Sequence, residues 1–328
     1  MKVALVCNMN DAGGQAQPDD DTFEEYDSPA TIDAIAKALG GLGLDVRPVE
    51  ADRRLPWRLE DERFDFAFNI AEGQGRRCRE AIPAGVCELL GLPFTGSDAV
   101  TLGITLDKFL ARRVVAPDVP VAGAVLVQDD AGEWELADLH YPVLVKPNDE
   151  GSSKGIRGNP IACSAPDAMR LCRSLRARYR CPVLVEEFLP GMEVTVGVVG
   201  NGADARVLAM MEIEPVDASI PFVYSLEVKR DFRRRVRYHT PPRAPGAVLD
   251  ALARMALAAY RLLGCRDVAR IDFRLDRAGL PRFLECNALP GLGPDHSDLV
   301  IMSRDVLPYD ALVQGIFLDA ATRYGVRP

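Results

Sequence analysis

The chain of 328 residues is 48% apolar and carries a formal net charge of -9, which is enough material for two or three packed domains. The acidic balance excludes a general nucleic-acid binder, since neutralising phosphates requires clustered positive charge. No apolar run is long enough to span a bilayer, and the apolar start at 1–7 is too short for a signal peptide. We therefore expect a cytoplasmic protein without a membrane partner.

The first segment has the alternating strand and helix order of a doubly wound α/β layer. A Val-Ala-Leu-Val run predicts a strand at 2–7, and Ser28-Pro29 predicts a helix start that ends at Gly40-Gly41. Further strands are predicted at 45–49 and 64–70, and a second helix at 80–90. Eight cysteines without a C-x-x-C pair are expected to be free, mostly buried thiols.

The middle of the chain combines lysine with a loop of small residues. A strand at 121–127 and a second one ending in Lys146-Pro147 precede the string Glu150-Gly151-Ser152-Ser153-Lys154-Gly155. Small residues let backbone N–H groups approach phosphate oxygens, while lysine supplies positive charge. The order differs from the Walker pattern, in which lysine follows the glycines. A hairpin turn with incidental serines is the alternative interpretation.

Two further segments carry polar groups at the ends of predicted strands. After a helix at 166–179, the strand at 182–187 runs into acidic residues that are suited to an adenine edge and a ribose. On the last strand pair Arg270 and Asp272 project to one face, as do Glu285 and Asn287. Oxygen ligands on adjacent strands suit a hard cation that bridges phosphates. The alternative is the solvated face of an ordinary hairpin.

Together these motifs resemble the ATP-grasp ligases, and in particular the D-alanine–D-alanine ligase family. They follow the family's order over essentially the whole chain, at 92–97, 107–108, 146–147, 150–153, 186–189, 193, 229, 270–272 and 285–291. The resemblance implies an α/β chain, α+β in its C-terminal half, with the ATP-grasp fold and three domains in series. These are a substrate-binding domain at 1–98, a central domain at 99–189 and a C-terminal domain at 190–328, with ATP between the last two. A mobile lid is expected at 220–243.

The resemblance also implies an activity. Members of the family phosphorylate the carboxylate of one amino acid with ATP and Mg²⁺, and the amine of a second amino acid attacks the acylphosphate. By this resemblance we expect ATP, two Mg²⁺ ions replaceable by Mn²⁺, amino-acid substrates and a homodimer. The implied ATP ligands are Lys108, Lys146, Glu186, Glu187, Phe188, Leu189, Glu193 and Lys229. The implied metal ligands are Asp272, Glu285 and Asn287, and the implied catalytic groups are Arg270, Ser152, Lys229 and the Gly291 N–H.

The substrate residues match the family pattern less closely. Glu24 is the best positional match for the glutamate that binds the first substrate's ammonium group, with Glu25 beside it. Ser297 matches the serine expected at the carboxylate of the second substrate. Lys229 is followed by Arg230, where the family usually has tyrosine. This exchange of a phenol for a guanidinium points to an altered acceptor.

A second departure lies after the third strand. Glu72 stands where the family has histidine, and Arg79 follows it. Arg79 and Arg230 are candidates for binding a second carboxylate on a substrate other than D-alanine. The alternative for Arg79 is a surface ion pair with Glu80 or a neighbouring acid.

Three functions are compatible with these patterns. The first is an ATP-dependent, ADP-forming carbon–nitrogen ligase that joins two amino acids. The second is an ATP-grasp ligase of specialised metabolism with a different amine or hydroxyl acceptor, which the change at Arg230 favours. The third is a non-catalytic ATP-binding regulator. The complete set of phosphate-binding and metal-binding side chains argues against the third, because a protein that only binds has no chemical need for it.

Overall fold

The computed structural model describes residues 1–10, 21, 23–75, 77–128, 132–217 and 221–327. Ile220, at the start of the expected lid, lies outside these residues. The strands are β1 Lys2–Cys7, β2 Asp45–Glu50, β3 Phe66–Asn69, β4 Ala124–Val127, β5 Val143–Pro147, β6 Ile161–Ala162, β7 Val183–Glu187, β8 Glu193–Val199, β9 Arg206–Pro215, β10 Val236–His239, β11 Val268–Leu275 and β12 Pro281–Asn287. The helices are α1 Pro29–Gly40, α2 Leu55–Glu62, α3 Ala81–Leu90, α4 Ala99–Leu106, α5 Lys108–Val115, α6 Ala165–Tyr179, α7 Leu226–Arg230, α8 Phe232–Arg235, α9 Gly246–Leu262, α10 Asp298–Ser303 and α11 Tyr309–Tyr324.

The first sheet is parallel, in the order β2-β1-β3, and has helices on both faces. Alternate residues of β1 enter two different cores, because side chains of a strand alternate between faces. Val3 and Leu5 pack in the core that contains α1 and α11, whereas Ala4 and Val6 pack in the core that contains α2 and α3. Ser28 caps α1 by accepting a hydrogen bond from the Thr31 N–H, as the Ser-Pro start predicts.

The second sheet is antiparallel, in the order β4-β7-β5-β6, and α6 covers it. The helix predicted at 166–179 is confirmed, because α6 runs from Ala165 to Tyr179 and differs by one residue at its start. The predicted strand at 121–127 is too long, because β4 begins at Ala124 and Val121 makes only an isolated bridge to Phe283. The sheet carries Lys146 on β5 and Glu186 on β7, which become neighbours because the two strands pair.

The third sheet is antiparallel, in the order β10-β9-β8-β11-β12. One face packs on α9, together with α4 and α5, and the other packs on α10. Gly197 on β8 allows the approach of α10, because a Cβ at this position would lie 2.8 Å from Leu299 and 3.1 Å from Met302. The predicted pairing of the last two strands is confirmed, with Arg270 opposite Asn287 and Asp272 opposite Glu285.

The end of the described chain returns to the first sheet. Helix α11 packs on α1, and the rings of Phe317 and Phe66 meet edge to face with centroids 5.0 Å apart. The fully buried Asp267 accepts hydrogen bonds of 2.7 Å from the Gly96 N–H and from the Arg323 guanidinium. The domain limits at residues 98 and 189 stay a prediction. Among the described helices, none is both long and apolar enough to cross a membrane.

Candidate active site

A cavity of about 230 Å³ opens between the second and third sheets, and residues of the first segment close its far end. It brings together side chains that are far apart in the sequence. Nearly every residue that the motifs single out lines it: Glu24, Lys108, Lys146, Ser152, Glu186, Glu187, Phe188, Leu189, Glu193, Lys229, Arg270, Asp272, Glu285, Asn287, Gly291 and Ser297. Arg230 is not part of the lining.

A buried ion triad lies at the end of the cavity formed by the second sheet. Glu186 is only 2% exposed and lies between the Lys146 ammonium at 2.7 Å and the Arg112 guanidinium at 2.6 Å. Burial raises the pKa of Glu186, but the two cations outweigh it and hold the pKa below its ordinary value. Arg112 also donates to the Ala122 carbonyl oxygen, so it fixes the carboxylate that holds Lys146. Sequence motifs do not single out Arg112.

Glu193 and Arg274 form the neighbouring part of the wall. The Arg274 Nη1 lies 3.3 Å from Glu193 Oε2, and the guanidinium lies over the Phe188 ring, 4.9 Å from its centroid. Burial raises the pKa of Glu193 to about 7, although the charge of Arg274 opposes the shift. The motifs do not single out Arg274 either. The available signal was its position two residues after Asp272, which places both side chains on one face of β11.

The proposed metal ligands are adjacent on β11 and β12. Asp272 accepts hydrogen bonds from Thr195 Oγ1 at 2.6 Å and from Asn287 Nδ2 at 3.1 Å. Glu285 lies opposite Asp272, and its Oε2 is 3.7 Å from the Lys108 ammonium. Burial raises the pKa of Glu285, but the surrounding cations lower it to about 2. Two carboxylates and an amide offer hard oxygen donors, so these side chains fit Mg²⁺.

Arg270 connects the proposed metal ligands to Asp298, the first residue of α10. Its Nη2 donates to Asp272 Oδ2 at 2.9 Å, and its Nη1 lies 3.3 Å from Asp298 Oδ2. Gly291 faces the same region, where a Cβ would lie 3.0 Å from Ser297 Oγ. The absence of a side chain at Gly291 thus leaves room next to its N–H. Ser297 Oγ is held by the Gly293 N–H at 2.8 Å.

The expected lid lies against the loop of small residues. Lys229 on α7 donates to Ser152 Oγ at 3.1 Å, and Ser153 Oγ donates to the Tyr224 carbonyl oxygen at 2.8 Å. Burial lowers the pKa of Lys229, although Asp298 opposes the shift. The basic run at 233–235 is exposed on α8, as expected for a solvated face of this segment.

Arg230 and Arg79, the two arginines that depart from the family pattern, each form an ion pair within the protein. Arg230 pairs with Glu24, with Nε 2.8 Å from Oε1, and Arg79 pairs with the neighbouring Glu25 at 2.6 Å. Arg79 is buried and does not line the cavity, so the expectation of a surface ion pair is wrong in its location. The expected partner Glu80 lies 4.0 Å from the guanidinium, but the shorter pair is with Glu25. Since both guanidinium groups already hold a carboxylate, the structure does not favour either as the receptor for a second substrate carboxylate. Lys154 holds the other oxygen of Glu25 at 3.1 Å.

Three other carboxyl groups line the substrate end of the cavity. They are Asp27, Glu72 and Glu80. Burial raises the pKa of Asp27 to about 7, and burial together with the charge of Glu25 raises the pKa of Glu80 to about 7. The pKa of Glu72 is raised well above its ordinary value by burial and then by Glu80. These three carboxyl groups therefore hold protons over much of the neutral pH range, and a cationic group bound beside them would favour their ionised form.

Comparison with known proteins places this geometry in a family. The family model described as D-ala D-ala ligase C-terminus matches residues 120–317. The chain belongs to the D-alanine–D-alanine ligase family. Among its relatives, the D-alanine–D-alanine ligase of Geobacter sulfurreducens is 32% identical over 81% of this chain and 80% of its own length. The uncharacterized protein y4sG of Sinorhizobium fredii is 30% identical over 99% of this chain and 98% of its own length.

Solved structures of the family share the fold. The D-alanine–D-alanine ligase of Bacillus anthracis complexed with ATP superimposes with a TM-score of 0.75 at 18% identity, covering 99% of both chains. The predicted ATP-grasp fold is confirmed. The predicted activity class is confirmed as well: this member of the D-alanine–D-alanine ligase family is an ATP-dependent, ADP-forming carbon–nitrogen ligase that acts on amino acids. The non-catalytic regulator is thereby disfavoured.

Proposed function

We propose that the protein joins two D-alanine molecules, or close analogues, at the expense of ATP with Mg²⁺ as the metal ion, in the cytoplasm and as a homodimer. One observation supports this most strongly. Phosphate-binding lysines, an oxygen donor set and an arginine with an open backbone N–H converge in one cavity. Transfer of a phosphoryl group and then of an acyl group requires these three parts.

The end of the cavity that binds ATP provides positive charge for the phosphates and a strand end for the adenine. Lys108 and Lys146 bind the phosphates, and Lys229 reaches the transferring phosphate from the lid. The strand end from Glu186 to Leu189 holds the adenine through its backbone, and Glu193 binds the ribose. Asp272, Glu285 and Asn287 hold Mg²⁺, which supplies positive charge to the phosphate oxygens when bound.

The substrate end positions the two amino acids. Glu24 lies at the first substrate's ammonium group, and Ser297 lies at the carboxylate of the second substrate. Ser152 orients the lid through Lys229. Arg270 and the Gly291 N–H stabilise the oxyanion that forms when the second amine attacks the acylphosphate. Closing the lid excludes water, which would otherwise hydrolyse the acylphosphate.

A second candidate is a ligase whose substrates are not both D-alanine. It is favoured by Asp27, Glu72 and Glu80, three buried carboxyl groups that can lose a proton beside a bound cation. Glu72 stands where the family has histidine. It is also favoured by the pair between Glu24 and Arg230, because Arg230 competes with a substrate ammonium group for Glu24. A second amino group on a substrate would match the three carboxyl groups.

The experiment is phosphate release from ATP and Mg²⁺ across D- and L-amino acids, singly and in pairs, with product masses read afterwards. Turnover with D-alanine alone and the mass of D-alanyl-D-alanine would establish the first candidate. Phosphate release with another pair of amino acids, and none with D-alanine, would establish the second candidate. Asp272→Asn should abolish turnover in either case. Asp276→Asn removes the same charge at a turn outside the cavity and should retain it.

A further inference from the structure

Asp298 is a buried carboxylate in the wall of the cavity. Its side chain is 5% exposed, and it begins α10 directly after Ser297. Arg270 lies 3.3 Å from its Oδ2, whereas its Oδ1 is buried without a hydrogen-bond donor among the residues that the structure describes. Buried carboxylate oxygens are nearly always paired, and an unpaired one is costly. An orphaned oxygen at a ligand cavity therefore indicates a donor that arrives with the ligand.

The position of Asp298 specifies which donor this is. Arg270 lies between Asp298 and Asp272, and Gly291 lies against Ser297, the residue that precedes Asp298. The reacting carbonyl lies between Arg270 and the Gly291 N–H under the proposed function. Asp298 thus borders the reaction centre on the side where Ser297 places the second substrate. The group of that substrate nearest to the reacting carbonyl is its nucleophilic nitrogen.

Several charged and titratable groups surround Asp298. They are Arg270 on β11, Lys229 on α7, His296 in the preceding loop, and the hydroxyls of Tyr224 and Tyr238. Burial, reinforced by the Asp298 charge, raises the pKa of both tyrosines, so they stay protonated near neutral pH. Burial and then the Lys229 charge lower the pKa of His296. Tyr238 also forms a hydrogen bond with the Asp298 side chain, and Asp298 is the one carboxylate within this described group.

Building on the proposed function, we propose that the Asp298 carboxylate binds the amino group of the second substrate and accepts one of its protons. The nitrogen arrives as an ammonium ion and gives one proton to Asp298, which frees its electron pair. This pair forms the bond to the acyl carbon, and the bond from that carbon to the phosphate oxygen breaks. The second proton leaves with the phosphate, and Asp298 returns its proton to water. Asp298 is thereby a catalytic residue of the acyl-transfer step and selects an amine as acceptor.

The test separates the two half-reactions with hydroxylamine, whose nitrogen is unprotonated at neutral pH and needs no base. Wild type, Asp298→Asn and Asp295→Asn are assayed with ATP, Mg²⁺ and the first amino acid, with either an amino-acid acceptor or hydroxylamine. Asp298→Asn keeps the size and the contact to Arg270 but removes the base. We expect amine coupling to fall by at least about 100-fold, as for loss of a general base. Hydroxamate formation should fall far less, and residual coupling should rise in proportion to hydroxide. The exposed Asp295 is the matched control and should change neither rate.

Two outcomes overturn the proposal. Equal loss of both reactions in Asp298→Asn would mean that Asp298 only holds Arg270, and unchanged amine coupling would mean that it has no part in proton transfer. If Asp298→Asn does not fold, Asp298→Ala with added formate replaces it. Restored amine coupling then supports the base, and no restoration in a folded protein refutes it. Absence of hydroxamate in the wild type with every amino acid contradicts the proposed function itself, so the two failures are distinguishable.

Discussion

Replacing Arg112 should weaken both the fold and ATP binding, because Arg112 is 3% exposed and holds Glu186. Breaking a buried ion pair costs about 3–5 kcal/mol when the remaining charge has no other partner. Glu186 retains Lys146 at 2.7 Å. We therefore expect Arg112→Met to lower the free energy of unfolding by roughly 2–3 kcal/mol, since methionine keeps the apolar packing of the stem. Lys146 is then drawn to Glu186, which should weaken ATP binding by about tenfold, the value of one charge-assisted contact.

The helix supplies its own control for this prediction. Arg113 follows Arg112 on α5 but is exposed, with its guanidinium 6.0 Å from the centroid of the Phe109 ring. Arg113→Met should change stability by no more than about 0.5 kcal/mol. Urea unfolding monitors stability, and calorimetric titration with ATP monitors affinity. Equal effects of the two substitutions would refute the buried triad. A loss of stability with unchanged ATP affinity would refute the role of Lys146.

Three further predictions follow from the substrate end and the lid. The pKa of Glu80 is raised from 4.5 to about 7 in the folded protein, so between these pH values the native form holds a proton that the unfolded chain releases. The free energy of unfolding therefore falls as the pH rises from 4.5 to about 7. Glu80→Gln should therefore stabilise the protein by about 2–3 kcal/mol at pH 8 but little near pH 4, and the exposed Glu88→Gln should do neither, as urea unfolding would reveal. Limited proteolysis should cut at 233–237, and ATP with Mg²⁺ should protect this segment; equal cleavage in both conditions would contradict a closing lid. Arg230→Tyr should change the ratio of kcat/KM values between acceptors, and an unchanged ratio would exclude Arg230 from acceptor selection.

The residues proposed to bind nucleotide and metal can be recognised in the sequence because they lie close together along single strands. Arg270 and Asp272 are two residues apart on one strand, so a period of two places them together without knowledge of the fold. Ser28-Pro29 fixes a helix start for a similarly local reason. The sequence does not predict helix α2. Only Leu55 and Leu59 of this helix are buried and the rest is largely polar, so the apolar repeat is too short to recognise.

The substrate side depends on contacts between distant parts of the chain, which local patterns do not contain. Arg79 looks available for a ligand in the sequence, but folding places it on Glu25, 54 residues away. Arg112 and Asp298 likewise read as ordinary charged residues at a helix. Their importance comes from burial beside Glu186 and Arg270, which arises only when separate strands and helices pack.

The return of α11 to the first sheet has a consequence for how the protein is made. Phe66 emerges from the ribosome early, whereas its partner Phe317 and the Arg323 that holds Asp267 emerge near the end. Helix α1 covers part of this face early, but at ~5–20 residues per second the part that α11 covers stays exposed for on the order of tens of seconds. During this interval the nascent chain presents a surface suited to holdase chaperones. A message that stalls before α11 would therefore yield a fragment prone to aggregation, even though it contains the residues of the cavity.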